Sequence, residues 1–208
     1  KYSVQHIIEK SDKFIVPLHV GALLIDWGVP QDKIVELDWW QEYRLGQKLM
    51  VAATPAQHFS GRGITDRNKT LWASWVIEAP SHKIFFSGDS GYFAGFKQIG
   101  DKYGPFDMTF LECGAYDKSW PKLHMFPEQT VQAHLDLKGN VLHPIHWATF
   151  NLALHPWYEP MVRFTAAADS KNIKTATPVA GETTIYGMRI PAARWWEKRA
   201  LSGQGVIE

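Results

Sequence analysis

The segment Lys83–Gly91 has the sequence KIFFSGDSG, an apolar run that passes directly into a glycine-rich turn carrying one aspartate. A short apolar run that ends in turn residues is typical of a buried strand. Gly88 and Gly91 lie on either side of Asp89 and allow a tight turn, which brings the carboxylate of Asp89 toward the end of the strand. The chain repeats this arrangement, a strand that delivers a polar side chain into the loop behind it.

Two further loops of this kind present histidines. His58 follows the apolar segment 48–54, and His146 follows the segment 141–145. Neutral imidazole and carboxylate groups are standard zinc ligands. Taken alone, a loop histidine is more often a hydrogen-bonded structural residue, and a Gly-Asp-Ser-Gly segment is usually an ordinary turn. Three such residues at strand ends favour a metal site.

Strand-like and helix-like segments alternate along the chain, which predicts an α/β domain with its chemistry in loops beyond the strand ends. No internal repeat or low-complexity linker interrupts the pattern. The hydrophobic periodicity predicts helices at 2–9, 21–27, 93–103, 127–137 and 158–168. It predicts strands at 14–17, 34–37, 48–54, 70–78, 83–87, 108–111, 141–145 (broken by Pro144), 174–177 and 183–186.

Composition excludes several classes of protein. The 208 residues, 45% hydrophobic and 21% charged, are typical of a globular chain of one domain. The net charge is +1, without the basic stripe of a nucleic-acid binder, so we expect no nucleic-acid partner. Cys113 is the one cysteine, which excludes a disulfide framework and a cysteine zinc site. The apolar stretch 14–25 is too short to span a bilayer.

Several stretches, taken in order, resemble one known family. They are 14–18 (FIVPL), 35–40 (VELDWW), 54–58 (TPAQH), 68–75 (NKTLWASW), 85–92 (FFSGDSGY), 104–107 (GPFD), 114–116 (GAY), 145–150 (IHWATF) and Gly181-Glu182. The chain is similar in these stretches to the metallo-β-lactamase superfamily. Within it, the chain resembles the branch of N-acylphosphatidylethanolamine-hydrolysing phospholipase D and its bacterial relatives.

The resemblance implies an αββα sandwich with two zinc ions bound between two β-sheets. It assigns His58 to the first metal, Asp89 to a bridging position and His146 to the second metal. It also aligns His124 with a histidine near the active site, which could polarise a phosphoryl oxygen or donate a proton. The alternative for His124 is a surface histidine beside a helix.

Other residues receive weaker assignments. Glu112 and Tyr116 are expected to face the site from one strand end, and Cys113 is expected to be a small core residue. The remaining histidines have no support from the resemblance and are interpreted as structural or surface residues. They are His6, His19, His82, His134, His143 and His155.

One departure from the family pattern matters for the expected fold. The superfamily hallmark, His-X-His-X-Asp-His, does not occur in these residues, and residues 1–4 resemble the helix start that follows it in relatives. We therefore expect 1–208 to form a single incomplete domain, the C-terminal portion of the sandwich. Each metal would keep one histidine and the shared Asp89, and the chain alone would be inactive. An exposed apolar face would bind the missing N-terminal segment or a second copy.

The resemblance implies a zinc-dependent hydrolase that, at full length, acts as a phosphodiesterase of phospholipase D type on a small-molecule or lipid substrate. One alternative is a lactonase or another ester hydrolase on the same dinuclear site, since one fold hosts many chemistries. Another alternative is a non-catalytic truncated fragment or partner-binding subunit. A cytoplasmic location with peripheral membrane contact accompanies the first interpretation.

Overall fold

The computed structural model describes residues 1–150 and 152–201. Its contacts divide the chain into two compact units. The first unit comprises Lys1–Pro55 and Phe59–Pro80, and the second comprises Ala56–His58 and Ser81–Glu208. Among the described residues, no helix is both long and apolar enough to cross a membrane.

The first unit opens with helix α1 (Tyr2–Ile7), which continues as a 3-10 turn at Ile8–Lys10. Strands β1 (Phe14–Pro17) and β2 (Ile34–Leu37) then pair in parallel. A parallel pair needs a crossover connection, and helix α2 with a 3-10 turn supplies it, at Gly21–Asp26 and Gln31–Lys33.

Three antiparallel strands complete the first unit. They are β3 (Glu42–Leu45), β4 (Leu49–Thr54) and β5 (Ser74–Glu78), with β4 in the middle. Apolar residues occur without alternation in β4, and five of its six residues are buried. Such continuous burial requires cover on both faces of a strand.

The predicted strand 70–78 starts later than expected, at Ser74. The strand β4 ends at Thr54, opposite Ser74, because Pro55 has no N–H to continue the ladder. The residues before Ser74 bond elsewhere: the Leu71 N–H donates to the Leu18 carbonyl, and the Trp72 carbonyl accepts from the indole of Trp39.

The second unit contains four parallel strands in the order β6-β7-β8-β9. They are β6 (Lys83–Phe86), β7 (Phe106–Glu112), β8 (Gly139–Ile145) and β9 (Lys174–Thr175). Helices α3 (Gly95–Tyr103), α4 (Pro127–Asp136) and α5 (Glu159–Ser170) connect them, and α6 (Trp195–Leu201) follows. Parallel strands end at one edge of a sheet, so the loops after β6, β7 and β8 meet there.

Two predictions for the strands of the second unit are wrong. Strand β8 runs through Pro144 without a break. Pairing with β9 involves Val141 and Leu142, so the missing N–H of Pro144 falls beyond that pairing. The predicted strand 183–186 is instead an isolated bridge between Ile185 and Arg189.

The core of the second unit is aromatic. Phe85 of β6 lies 5.6 Å from Phe106 of β7 and 6.2 Å from Phe96 of α3, measured between ring centroids. All three rings are buried. Large rings of this kind contribute much of the apolar burial in a core, and here they fix α3 against the strands that carry the site. The alternation of parallel strands and helices confirms the α/β class.

Candidate metal centre

Five side chains meet at the edge of the second unit where its parallel strands end. The ring of His124 lies 5.2 Å from that of His58 and 5.4 Å from that of His146, between centroids. One ligand-type atom from each of Glu112, His124 and His146 lies within 4.8 Å of the others. Asp89 reaches the same group through His146. The structure thus brings together the four residues that the sequence singled out, and Glu112 joins them.

Asp89 and His146 form the most direct contact between two predicted ligands. Oδ1 of Asp89 lies 3.4 Å from Nε2 of His146. The interaction with His146 lowers the pKa of Asp89 against the effect of burial, and Asp89 in turn raises the pKa of His146. The separation is long for a charged hydrogen bond. It does match two ligands of one tetrahedral ion, which lie about 3.4 Å apart when each metal bond is about 2.1 Å.

The backbone around His146 is held in an unusual conformation. His146 has φ of 62° and Ala148 has φ of 65°, in the left-handed region that few residues other than glycine occupy. The loop after β7 packs closely on this turn, since a Cβ on Gly114 would lie 2.1 Å from the carbonyl oxygen of His146. Strained backbone of this kind clusters at functional sites.

His58 is placed beside the Asp89 loop by backbone pairing of its neighbour. The N–H of Gln57 donates to Oγ of Ser90 over 3.0 Å, and the N–H of Gly91 donates to the carbonyl of Gln57 over 2.9 Å. This bridge lies directly next to His58 in sequence. It keeps His58 in register with Asp89.

Glu112 ends strand β7 and bonds to His124. One carboxylate oxygen accepts the N–H of Met125 over 2.8 Å, and the other contacts Nδ1 of His124. Burial raises the pKa of Glu112, and the contact with His124 opposes that effect. The sequence expectation that Glu112 faces the site agrees with this geometry. Its signal was an acidic residue at the end of a buried strand.

Tyr116 has a different environment from the one expected. Its hydroxyl donates to Oε1 of Glu159 on α5 over 3.0 Å, and its ring stacks on His155 with 4.3 Å between centroids. Burial raises the pKa of Tyr116, and the bond to Glu159 adds to the effect. Tyr116 therefore fastens the loop after β7 to α5.

A cavity of about 240 Å³ adjoins His146. Its other lining residues are Trp147, Thr149, Phe150 and Leu152. The indole of Trp147 is fixed by stacking on Trp195, with 5.2 Å between centroids, and by donation to the Pro144 carbonyl. The cavity thus offers an apolar wall next to a predicted metal ligand.

The chemistry of the five side chains fits a metal ion. Imidazole nitrogens and carboxylate oxygens converge within a few ångströms, and the Asp89–His146 separation suits a shared ion. Borderline divalent metals such as zinc prefer this mixture of nitrogen and oxygen ligands. Glu112, His124 and His146 are the three residues whose ligand atoms all lie within 4.8 Å of one another; that His58, Asp89 and His146 bind the ion stays a prediction.

Comparison with known proteins agrees with this geometry. Residues 3–147 match a family profile described as a beta-lactamase superfamily domain. The chain belongs to the beta-lactamase superfamily. The matched range includes His58, Asp89, Glu112, His124 and His146, so every side chain of the candidate centre lies within it.

Two relatives illustrate the range of similarity within the superfamily. An uncharacterized protein of Mycobacterium tuberculosis is 49% identical over 186 residues, covering 88% of this chain and 50% of the relative. N-acyl-phosphatidylethanolamine-hydrolyzing phospholipase D 1 of Caenorhabditis elegans is 30% identical over 169 residues, covering 76% of this chain and 48% of the relative. The chain therefore spans about half the length of these curated relatives.

A solved structure shares the fold. Igni18, described as a metallo hydrolase from Ignicoccus hospitalis, superposes with a TM-score of 0.68. It is 22% identical, and the match covers 88% of this chain and 72% of Igni18. At this identity the likeness establishes the metallo-β-lactamase-type fold alone.

Proposed function

We propose that this chain contributes to the active site of a zinc-dependent hydrolase that cleaves phosphodiesters, of phospholipase D type. The convergence of His58, Asp89, His124 and His146 at one edge of the second unit carries the proposal. Membership of the superfamily and the 30% identity to a phospholipase D of Caenorhabditis elegans support it.

In this proposal His58 and His146 would each contribute a ligand to the zinc centre, and Asp89 would contribute its carboxylate to the same centre. Bound zinc supplies a hydroxide nucleophile at neutral pH and neutralises charge that develops on substrate oxygens. The left-handed turn at His146 and the bridge beside His58 hold the ligands in place. Preformed ligands lose little freedom when a metal binds.

His124 would act on the substrate rather than on the metal. Its ring stands within 5.4 Å of both His58 and His146, between centroids. A substrate oxygen held at the centre would therefore lie within reach of the imidazole. His124 could then donate a hydrogen bond or a proton to the phosphoryl group or the leaving oxygen.

The cavity beside His146 supports a substrate with an apolar part. Phe150 and Leu152 line it and are 75% and 55% exposed. Apolar side chains left in contact with water are stabilised when a ligand covers them. A lipid phosphodiester combines the acyl chain that this wall favours with the phosphoryl group that His124 favours, and it implies contact with a membrane surface.

Metal content and hydrolysis test the proposal together. We expect the protein at full length, loaded with zinc, to cleave bis(4-nitrophenyl) phosphate faster than 4-nitrophenyl acetate or a lactone. Asp89→Ala should lose bound zinc, measured by inductively coupled plasma mass spectrometry, and should lose phosphodiesterase activity. Asp101→Ala is the control, because Asp101 is an exposed aspartate that pairs with Lys97 and Lys138. Full zinc content and activity in Asp89→Ala would contradict the proposal, and preferred cleavage of lactones would redirect it to the alternative substrate class.

The proposal also includes an apolar association surface at α1. This helix has no buried residue, and Tyr2 and Ile7 are 79% and 46% exposed. Contiguous exposed apolar patches of several hundred Å² favour association, and we propose that these two side chains belong to such a patch. We expect light scattering after size exclusion to detect a complex of two copies that Ile7→Ser weakens, whereas a monomer at every concentration would rule out self-association.

A further inference from the structure

Glu112 is a carboxylate buried where the proposed mechanism does not require one. Glu112 is 0% exposed. Withdrawing a carboxylate from water is costly unless hydrogen bonds and charge pairing compensate. Two bonds compensate here. The Met125 N–H donates to Oε1 over 2.8 Å, and His124 Nδ1 contacts Oε2.

The backbone of Glu112 is fixed at both of its polar groups. Its N–H donates to Oγ of Ser87 over 3.0 Å, and its carbonyl accepts from the hydroxyl of Thr130 over 2.8 Å. The end of β7 is thereby held to the chain after β6 and to α4. The carboxylate has a defined position from which it can orient a partner.

Both contacts of the Glu112 side chain, with the Met125 N–H and with His124, favour the ionised carboxylate over the neutral acid. An ionised carboxylate only accepts hydrogen bonds. The nitrogen of His124 that contacts it must therefore carry the proton, which leaves Nε2 on the opposite side of the ring. Histidines that serve a metal or a substrate commonly have the other ring nitrogen oriented by a carboxylate in this way.

We propose that Glu112 is a positioning residue that keeps the Nδ1–H of His124 turned toward its own carboxylate. Nε2 is then the nitrogen that faces the substrate and exchanges a proton with it, and the neutral ring is the Nδ1–H tautomer. The kinetic part of this inference rests on the proposed hydrolase function. The tautomer itself depends only on the contacts of Glu112, so it can be tested in the metal-free chain.

Glu112→Gln makes a sharp test because glutamine is isosteric but has one acceptor oxygen. The Met125 N–H can only donate, so the amide oxygen should face Met125. The amide NH₂ then faces Nδ1 of His124, which must accept. The proton moves to Nε2, and the tautomer reverses without a change in the size of the side chain.

The experiment is ¹H–¹⁵N correlation spectroscopy of the histidine rings at about pH 8.5, where a free imidazole is neutral. Signals of His124 are assigned by their loss in His124→Asn. We expect Nδ1–H in the wild type and in Glu112→Asp, and Nε2–H in Glu112→Gln. Nε2–H in the wild type, or one tautomer in both the wild type and Glu112→Gln, would overturn the proposal. If Glu112→Gln does not fold, the wild-type spectrum decides.

Kinetics provide the second arm. In the full-length protein with bis(4-nitrophenyl) phosphate, kcat of Glu112→Gln should fall about 10- to 100-fold, the range typical of an orienting partner, while KM changes little. The control is Glu128→Gln, because Glu128 is a carboxylate on α4 that bonds to Arg163 instead of a histidine. An unchanged kcat beside a reversed tautomer would refute the kinetic role. Absence of hydrolysis by the full-length wild type would refute the proposed function and leave the spectroscopic result standing.

Discussion

The side-chain amide of Gln57 donates a hydrogen bond to the carbonyl oxygen of Lys122, 2.8 Å away. The same amide nitrogen lies 3.4 Å from the carbonyl of Tyr92. The residue next to His58 thus touches the loop that carries Asp89 and the loop that carries His124. A Cβ on Gly91 would lie 2.0 Å from the Lys122 carbonyl, so this close approach of the two loops requires glycine at that position.

We expect Gln57→Ala to loosen the metal centre without unfolding the second unit. Two loop carbonyls lose a partner, and supporting residues of this type contribute about 10- to 100-fold to metal affinity. Zinc affinity, measured by competition with a chromophoric chelator, should fall within that range. Gln132→Ala is the matched control, since Gln132 bonds within α4 to Asp136. Equal affinities for the two variants would contradict this role for Gln57.

The sequence indicated the members of the candidate site better than their support. Asp89 and His146 each follow a parallel strand, and the rule that parallel strands end together is sufficient to group their loops. His58 follows the antiparallel strand β4, so that rule does not place it beside them. The contact between Gln57 and Lys122 joins residues 65 positions apart. No local pattern marks such a contact, because a glutamine in a loop has the same appearance whether or not a carbonyl lies opposite.

Arg163 should be the main electrostatic connection between α4 and α5. Its guanidinium donates two bonds to Glu128, at 2.9 and 2.7 Å, and lies 5.0 Å from the ring centroid of Tyr116. Exposed ion pairs contribute little, and this side chain is 35% exposed. The paired hydrogen bonds to Glu128 and the contact with the Tyr116 ring increase the stabilisation from this ion pair.

We expect Arg163→Met to lower the free energy of unfolding by about 1–2 kcal/mol. Arg163→Lys should recover less than half of the loss, because an ammonium group cannot form the paired bonds. Urea titration followed by circular dichroism measures both variants. Arg189→Met, which breaks a more exposed pair with Glu182, should cost less than about 0.5 kcal/mol. Equal losses at Arg163 and Arg189 would show that the geometry of Arg163 adds nothing.

Phe150 should select substrates by the length of their apolar group. Its ring lines the cavity beside His146 and is mostly exposed. In the full-length protein, Phe150→Ala should raise KM about tenfold for a 4-nitrophenyl octyl phosphodiester, equivalent to about 1.4 kcal/mol of apolar contact. KM for the methyl ester should barely change. Met188→Ala, which removes an 84% exposed side chain outside this lining, is the control, and a uniform change for both esters would refute selection by Phe150.

Elements that the sequence missed have weak periodic signals. The strand β3 has the sequence EYRL, which alternates polar and apolar residues but is mostly exposed; at four residues it is the shortest run in which alternation indicates a strand. The helix α6 begins with Trp195-Trp196, and two adjacent aromatic residues do not indicate one face of a helix. Other predicted boundaries differ from the observed ones by a few residues. The start of β5 is an example, because β4 ends before Pro55 and its last residue, Thr54, pairs with Ser74. Whether the two compact units form one domain stays a prediction.

His134 should make the stability of the second unit depend on pH. It is 1% exposed, and its Nδ1 lies 2.7 Å from the hydroxyl of Thr109. A Cβ on Gly139 would lie 2.4 Å from the same nitrogen, so the ring is enclosed by backbone. Burial lowers the pKa of His134 to about 4, from an ordinary value of 6.5.

The sign of the effect follows from which state binds the proton. Between pH 6.5 and about 4 the unfolded chain protonates His134 and the folded chain does not, so stability falls as pH falls through this window. A shift of this size corresponds to about 3 kcal/mol at most. In His134→Asn the amide replaces Nδ1 and does not titrate, so this part of the pH dependence should vanish. Urea unfolding at pH 7.5 and pH 4.5 compares the two proteins, with His6→Asn on the exposed helix α1 as the control. If His134→Asn loses as much stability as the wild type between the two pH values, protonation of His134 does not drive the loss.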